Sequence, residues 1–301
     1  MARNKIISKE QTKPNGETQV YLDLLRTLTP KKSVYRLYLR ESDEFIDEYS
    51  TVMEMSPELI DKFPIKGLTI LHSELFSLKY LVAYVDSTWF NSIAPGCDAV
   101  ASPEFNMGPF RSPPIVLVPE TKIGNTDVAF RSTLEHEYVH INQALLGNFP
   151  AAEGFVKDPI RSMFEIVESE YQANFLQLSR WPTLYKKAKK LGVALSLRDW
   201  CILRGYSQAL EAVLMAIMED QLTGNDVEKF LRILPKKLPL EFQKLGFEKK
   251  QGLQFAANLP NHLTIAVTNI LDGGVRPKNL GGRGLIKLNN WIKQNLKTVS
   301  T

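Results

Sequence analysis

The sequence has few cysteines and no long apolar run, and both shortages exclude classes of protein. Cys97 and Cys201 are its only cysteines and lie far apart, which argues against a disulfide framework and against a cysteine-rich zinc module. The nearest candidate for a membrane span, ALEAVLMAIM at 209–218, contains Glu211 and is shorter than the roughly 18 apolar residues required. The opening MARNKIISKEQTKPNGETQ has no apolar segment of signal-peptide length. We expect a soluble, cytoplasmic protein, with export by a signal-independent route left open.

Neither sign of charge is in large excess. The chain has 37 basic and 33 acidic residues and a net charge of +4, with no concentrated basic face of the kind that nucleic-acid binding requires. KKAKK at 186–190 is too short to argue otherwise. The glycine-rich segment at 273–284, GGVRPKNLGGRG, lacks the lysine-serine ending of a phosphate loop. We therefore expect no nucleic-acid partner and no membrane insertion.

The first third of the chain alternates between short element signals and turns. SVYRLYLRE at 33–41 alternates like a strand, and Ser42 then resembles a helix start, as does SPELIDKF at 56–63. Residues 67–85 are strongly apolar, and periodicity alone does not separate helix from strand there. In the turn-rich segment 93–126, the flanking prolines of PIVLVP (114–119) favour a strand at a sheet edge.

Helices are predicted for most of the remainder. One begins near Asp127 or Ser132, either of which can cap it, and ends at Gly147-Asn148. The next spans 161–180 and stops before Pro182, and the chain then reads as mostly helical to about residue 270. The predicted fold class is therefore α+β and helix-dominated.

Histidine is also scarce: the chain has four, and two of them stand in HEYVH at 136–140. Residues four apart lie on one face of a helix, so His136 and His140 can present two imidazole nitrogens to one ion. Zinc favours such ligands in a tetrahedral shell. Glu137 projects about 100° around the helix from His136 and can reach a water on the metal as a general base. The alternative is an ordinary amphipathic helix whose histidines are capped or partly exposed.

A catalytic zinc site needs a third protein ligand, and the next helix offers carboxylates. The candidates are Glu165, Glu168 and Glu170. We favour Glu170, because the small Ala173 one turn further on lets this helix approach the first. Glu165 and Glu168 stay open as ligands, and all three carboxylates stay open as solvated charges on the helix face. Asn174, four residues after Glu170, can hydrogen-bond a ligand imidazole and fix its tautomer.

These residues resemble the gluzincins, the zinc peptidases with His, His and Glu ligands, of which thermolysin is the familiar case. EYQAN at 170–174 is similar to the E-x-x-A-D motif of the CAAX prenyl protease family and its bacterial membrane relatives, with Asn174 in place of aspartate. CDAVASP at 97–103 resembles that family's N-A-F-A segment, with Asp98 in place of asparagine. The likeness covers about 97–180 and lacks the transmembrane helices of the membrane members. It implies the catalytic core and leaves the substrate open.

The resemblance implies a zinc-dependent metallopeptidase with a zincin-like core, acting on a protein or peptide substrate. One Zn²⁺ would be held by His136, His140 and Glu170, with Glu137 as the catalytic base. PIVLVP would be the edge strand that aligns the substrate, through the backbone of Val116, Leu117 and Val118.

The same resemblance implies a side chain that donates a hydrogen bond to the oxyanion. It also implies a division of the chain into three segments. His262, Tyr206 and Arg204 are candidates for that donor, although none stands in a motif and a structural role is the simpler interpretation. Residues 1–17 would be a loose N-terminal arm and 18–182 the zincin-like catalytic domain. Residues 183–301 would be a helical portion that closes the other wall of the cleft.

Three other interpretations use the same residues differently. The first is a catalytically inactive zincin-fold protein with a binding or regulatory role. The second is a helical interaction protein in which HEYVH is accidental; it predicts no metal and no loss of stability on chelation. The third is a toxin-like, host-directed protease, which shares the chemistry and differs in its target.

Overall fold

A computed structural model of the chain describes residues 16–59, 62–94, 96–107, 110–150, 158–184 and 196–219, with isolated residues between 230 and 263. Helices dominate this part of the chain, and they accompany a small mixed sheet. The helices are α1 (Gly16–Leu28), α2 (Lys32–Met55), α3 (Ser87–Ile93), α4 (Val128–Leu145), α5 (Pro159–Arg180) and α6 (Leu197–Glu219). The predicted helix-dominated α+β class is confirmed.

The main sheet has four strands in the order β1–β2–β6–β3. They are β1 (Ile65–His72), β2 (Lys79–Val85), β3 (Val100–Ser102) and β6 (Ile115–Pro119). β2 and β6 are parallel, while β1–β2 and β3–β6 are antiparallel. β4 (Phe105–Met107) and β5 (Phe110–Ser112) form a separate antiparallel pair. Residues 67–85, for which the sequence did not separate helix from strand, therefore belong to β1, to β2 and to the turn that joins them.

PIVLVP forms a strand, as predicted, but its predicted edge position is wrong. β6 lies between β2 and β3, so both of its edges are paired. Val116, Leu117 and Val118 are at most 2% exposed, and their buried position does not fit direct binding of a substrate. The prolines are tolerated in a central strand because Pro114 precedes the first paired residue and Pro119 is the last. On this side of the described sheet, β3 is the outer strand.

The predicted strand at 33–41 is also wrong, because these residues form the first turns of α2. The apparent alternation is part of a longer helical period, in which Tyr38, Phe45 and Val52 follow one another at seven-residue intervals and face the core. Ser42, interpreted as a helix start, is buried mid-helix and donates its hydroxyl to the Tyr38 carbonyl oxygen at 2.8 Å. The two-residue alternation at 33–41 is therefore a short part of the 3.6-residue hydrophobic period that runs through a helix of 24 residues.

The helix that carries HEYVH begins and ends where the sequence predicts. Asp127 caps α4 by accepting a hydrogen bond from the N–H of Ala129. Gly147, with φ of 71°, ends it, and Asn148 donates its N–H to the Gln143 carbonyl oxygen in the pattern of a glycine C-cap. Among its described residues, the helix start predicted at 56–63 contains a short 3-10 turn, Pro57–Leu59. Helix α1 begins inside the predicted loose arm, and the rest of that arm lies outside the described residues.

Helix α4 is fixed to the sheet through its apolar face. Leu134, Val139 and Ile141 are at most 7% exposed in the core, and Tyr138 stacks on Tyr80 of β2 with ring centroids 4.4 Å apart. Burial of several such side chains, at about 1.5–3 kcal/mol each, holds the helix rigidly. Within the described part of the chain, none of the helices combines the length and apolar character that crossing a membrane requires.

A buried carboxylate adds a polar anchor at the same place. Glu135 is 4% exposed. It accepts hydrogen bonds from the Ser73 hydroxyl at 2.5 Å and from the N–H of Glu74 at 2.6 Å, in the turn between β1 and β2. The residue immediately before HEYVH thus ties α4 to the sheet, and His136, Glu137 and His140 are held on a fixed helix.

Candidate metal centre

Two histidines of α4 and one glutamate of α5 converge at a buried point. Nε2 of His136 and Nε2 of His140 lie 3.1 Å apart. Oε2 of Glu170 lies 3.3 Å from Nε2 of His136, and Oε1 lies 3.4 Å from Nε2 of His140. The two histidines are 9% and 6% exposed. This is the one cluster among the described residues whose ligand atoms lie close enough together to hold a metal ion.

The spacing of these atoms fits a tetrahedral ion. Ligand atoms about 2.0–2.1 Å from a tetrahedral centre are about 3.3 Å from each other. The two imidazole nitrogens are 3.1 Å apart, and each has a different oxygen of Glu170 near it, at 3.3 Å from His136 and 3.4 Å from His140. Oε2 of Glu170 is buried and has Nε2 of His136 3.3 Å away, but it makes no hydrogen bond of good geometry within the described part of the chain. A buried carboxylate oxygen without a partner is costly, and a cation held by the three groups would remove that cost.

The electrostatics of the cluster also favour a bound cation. Burial by itself would lower the pKa of His140, but the adjacent negative charge of Glu170 raises it to about 9. Burial by itself would raise the pKa of Glu170, but His140 and His136 hold it below its usual range. The three groups therefore favour one positive charge between them, which a proton or a metal ion can supply.

The tautomer of His140 is set by Gln143, one helical turn further along α4. Nδ1 of His140 lies 2.8 Å from Oε1 of Gln143. That amide is oriented because its Nε2 donates to the Ser169 carbonyl oxygen at 3.1 Å and to Oε1 of Gln172 at 2.8 Å. The Ser169 hydroxyl donates to the same Oε1 of Gln143 at 2.6 Å. An N–H at Nδ1 leaves the lone pair of Nε2 directed at the cluster, as metal binding requires.

Asn174 does not have the orienting role predicted for it. Its Nδ2 donates to the Glu170 carbonyl oxygen at 2.7 Å and lies 3.4 Å from Oε1 of Gln208. The prediction placed Asn174 beside a ligand imidazole because it is four residues from Glu170, but that spacing also suits a bond to the backbone of its own helix. Gln143 was missed, although its i+3 position from His140 was a usable signal.

Replacing Gln143 by alanine should weaken metal binding about 10- to 100-fold, because His140 would lose the acceptor that fixes its tautomer. The matched change Asn174→Ala should weaken it less than about threefold. Competition titrations with a coloured chelator measure both affinities. A larger effect at Asn174 than at Gln143 would contradict this assignment and return the orienting role to Asn174.

Glu137 is held at the outer strand of the sheet. It is 9% exposed, and its Oε2 accepts a hydrogen bond from the N–H of Ala101 in β3 at 2.7 Å. Burial raises the pKa of Glu137, and the negative Glu170 adds to the shift, while His136, His140 and the bond from Ala101 oppose it. A raised pKa makes the ionised carboxylate a stronger base.

The other sequence candidates lie elsewhere. Glu165 forms an ion pair with Arg161 at 2.8 Å. Glu168 is exposed, and its carboxylate lies 3.5 Å from Nε2 of Gln172. Of the three candidate carboxylates, Glu170 is therefore the one that lies with the histidines. Tyr206 is fully buried in α6, and its role as an oxyanion donor stays a prediction. Arg204 is exposed, with its guanidinium 5.4 Å from the centre of the Trp200 ring. His262 lies outside the described residues.

Helix α6 packs closely behind Glu170 at a glycine that sequence reasoning missed. A methyl group on Gly205 would lie 3.0 Å from Cβ of Glu170, 3.1 Å from the Val167 carbonyl oxygen and 3.2 Å from the Tyr171 nitrogen. Two of these atoms are backbone and cannot rotate away. A glycine inside a helix costs about 1 kcal/mol relative to alanine, so its presence at this position was the available signal of a close contact.

Alanine at position 205 should displace α6 from α5 and shift Glu170. We expect Gly205→Ala to lower the free energy of unfolding by about 1–3 kcal/mol, as overpacking does, and to weaken metal binding several-fold. The control is Gly67→Ala, whose methyl would meet only Cδ2 of Tyr84 at 3.9 Å. Denaturant titration and metal titration test both variants. Unchanged metal affinity in Gly205→Ala would contradict the role given to this contact.

Comparison with protein-family models, with curated proteins and with solved structures finds no match to this chain. The functional information in this chain lies in its geometry: a buried His-His-Glu cluster that could hold a metal ion, with the ionisable Glu137 beside it on α4 and hydrogen-bonded to β3.

Proposed function

We propose that the chain is a zinc-dependent metallopeptidase of the gluzincin type, with one Zn²⁺ held by His136, His140 and Glu170. The observation that carries the proposal is that the two imidazole nitrogens lie 3.1 Å apart, with a carboxylate oxygen of Glu170 3.3 Å from one and the other oxygen 3.4 Å from the second, close to the ligand spacing of a zinc site. Two imidazoles and one carboxylate are also a ligand set found in catalytic zinc sites, which keep a fourth position open.

The metal and the protein would contribute different parts of the hydrolysis reaction. Zinc, when bound, polarises the scissile carbonyl and acidifies a water molecule. The protein's own contribution is the base. Oε2 of Glu137 is occupied by the N–H of Ala101, which leaves Oε1 to take a proton from the attacking water. Glu137 then passes that proton to the leaving amine, as the new C–O bond replaces the broken C–N bond.

Strand β3 takes the place of β6 as the strand that aligns the substrate. It is the outer strand on this side of the described sheet, and the N–H of Ala101 points to Glu137. An extended peptide that pairs with β3 would therefore run past the catalytic carboxylate. A zincin-like core built from this sheet, α4 and α5 is part of the proposal.

Removal and return of the metal tests the proposal. Zinc-loaded protein should cleave members of an unstructured peptide library, lose the activity in 1,10-phenanthroline and recover it when Zn²⁺ is added back. Product mass spectra identify the bonds that are cut. Cleavage that persists without metal would contradict the proposal, and a fully metal-loaded protein that cuts nothing would favour the inactive, binding form of the zincin fold.

A further inference from the structure

The strand that meets Glu137 is short and is held along one edge. β3 has three residues, Val100–Ser102, and within the described sheet it pairs with β6 alone. The N–H of Ala101, at its centre, donates to Oε2 of Glu137 at 2.7 Å. A segment with so few backbone bonds opens more easily than the centre of a sheet. The position of this N–H therefore depends on whatever else holds the start of β3.

Lys122 holds the start of β3. Its Nζ lies 2.7 Å from Oδ1 of Asp98, three residues before Ala101. Lys122 ends the short 3-10 turn Glu120–Lys122, which follows β6 directly. Because β3 and β6 are antiparallel, the residues before β3 lie beside those that follow β6. The ion pair therefore continues the contact of the two strands beyond their last backbone pair.

The same ammonium group contacts the helix that carries Glu137. Nζ of Lys122 lies 5.8 Å from the centre of the Phe130 ring. Phe130 is 4% exposed and lies in the first turn of α4. A cation within about 6 Å of a ring centre is attracted to the ring. Lys122 thus contacts both the start of β3 and the motif helix, and these are the two elements that the bond from Ala101 to Glu137 joins.

The position of β3 matters for the proposed base. Glu137 accepts the bond from Ala101 through Oε2, which leaves Oε1 for the attacking water. A misplacement of about 1 Å can cost about a hundredfold in rate. Resting on the proposed peptidase function, we propose that Lys122 is a positioning residue. By holding Asp98 and Phe130 together, it keeps the Ala101 N–H on the carboxylate that takes the proton.

Amide hydrogen exchange tests this role without catalysis. Lys122→Met keeps the apolar stem and removes the charge. With Zn²⁺ supplied, we expect the Ala101 amide to exchange about three- to tenfold faster in this variant, as the loss of one ion pair and one cation–π contact allows. The amide of Val82, in a strand paired on both sides, should keep its rate. Unchanged exchange at Ala101, or equal acceleration at Val82, would overturn the proposal.

Two further variants separate the role of the ion pair from a general loss of packing. Lys122→Arg keeps both the charge and the ring contact, and it should restore the slow exchange at Ala101. Asp98→Asn should accelerate that exchange as Lys122→Met does, and combining the two changes should add little, since both remove the same interaction. Fully additive effects would show that Lys122 and Asp98 act separately, and would overturn the proposal.

The matched control is Arg180→Met at the end of α5. Arg180 forms an ion pair with Glu74 at 3.3 Å, and its guanidinium lies 5.9 Å from the centre of the Trp181 ring. The variant therefore loses the same two kinds of contact at a site that does not include β3. Exchange at Ala101 should stay within about twofold of the wild type. Acceleration equal to that in Lys122→Met would overturn the specific role of Lys122.

Cleavage of a peptide library separates this proposal from the peptidase function. In Lys122→Met, kcat should fall at least about threefold at unchanged zinc content, and Lys122→Arg should recover it. Wild-type kcat in Lys122→Met would overturn the positioning role and leave the peptidase function in place. Faster exchange at Ala101 in a protein that cleaves no peptide would overturn the peptidase function, and Lys122 would then hold β3 without serving catalysis.

Discussion

Replacing Glu137 by glutamine should lower kcat/KM for peptide hydrolysis by about 10²- to 10⁴-fold while the protein keeps its full metal content. A general base contributes about 10²–10⁴ to the rate, and Glu137 is the carboxylate beside the cluster that is not one of its proposed ligands. Glutamine can still accept the hydrogen bond that Ala101 donates to Oε2, so the side chain should stay in place. Rates and zinc content are measured on the same preparations.

The control for this prediction is Glu168→Gln, which removes an exposed carboxylate from α5. It should retain activity within about twofold of the wild type. If Glu137→Gln kept more than about a tenth of the activity with its zinc in place, Glu137 would not be the base. Loss of zinc together with activity would instead make Glu137 part of the metal-holding set.

Replacing Glu170 by alanine should weaken zinc binding by at least about a thousandfold, because the cluster would lose its only negative ligand and keep two imidazole nitrogens 3.1 Å apart. The raised pKa of His140 depends on the same carboxylate, so it should fall in the metal-free variant. A competition titration gives the affinity, and the NMR titration of His140 gives the pKa.

Glu165→Ala is the matched control, since Glu165 stands on the same helix and pairs with Arg161 outside the cluster. Its zinc affinity should stay within about twofold of the wild type. Wild-type affinity in Glu170→Ala would remove this residue from the site, and a loss in Glu165→Ala or Glu168→Ala would reassign the third ligand.

The features that sequence predicted correctly depend on local helical geometry. His136 and His140 meet because they are one turn apart on a helix whose cap at Asp127 and end at Gly147 were both readable. Glu170 could be proposed because Ala173 allows α5 to lie close to α4, and Ala173 is fully buried. Spacing along one helix needs no knowledge of the rest of the fold.

The features that sequence did not predict depend on tertiary pairing. The position of β6 inside the sheet is set by β2 and β3, and nothing within PIVLVP encodes its neighbours. Gln143 orients His140 only because Ser169 and Gln172 of α5 hold its amide. Such partners become visible once the helices are placed, so the orienting residue was assigned to the wrong helix.

The most direct test of the metal centre is the zinc content of the purified chain by elemental mass spectrometry, after Zn²⁺ is supplied and excess is removed. The wild type is measured beside the double variant His136→Ala/His140→Ala. We expect about one zinc per chain in the wild type and none in the variant. No zinc in the wild type, or equal zinc in both proteins, would contradict it and leave HEYVH as a helix without a metal.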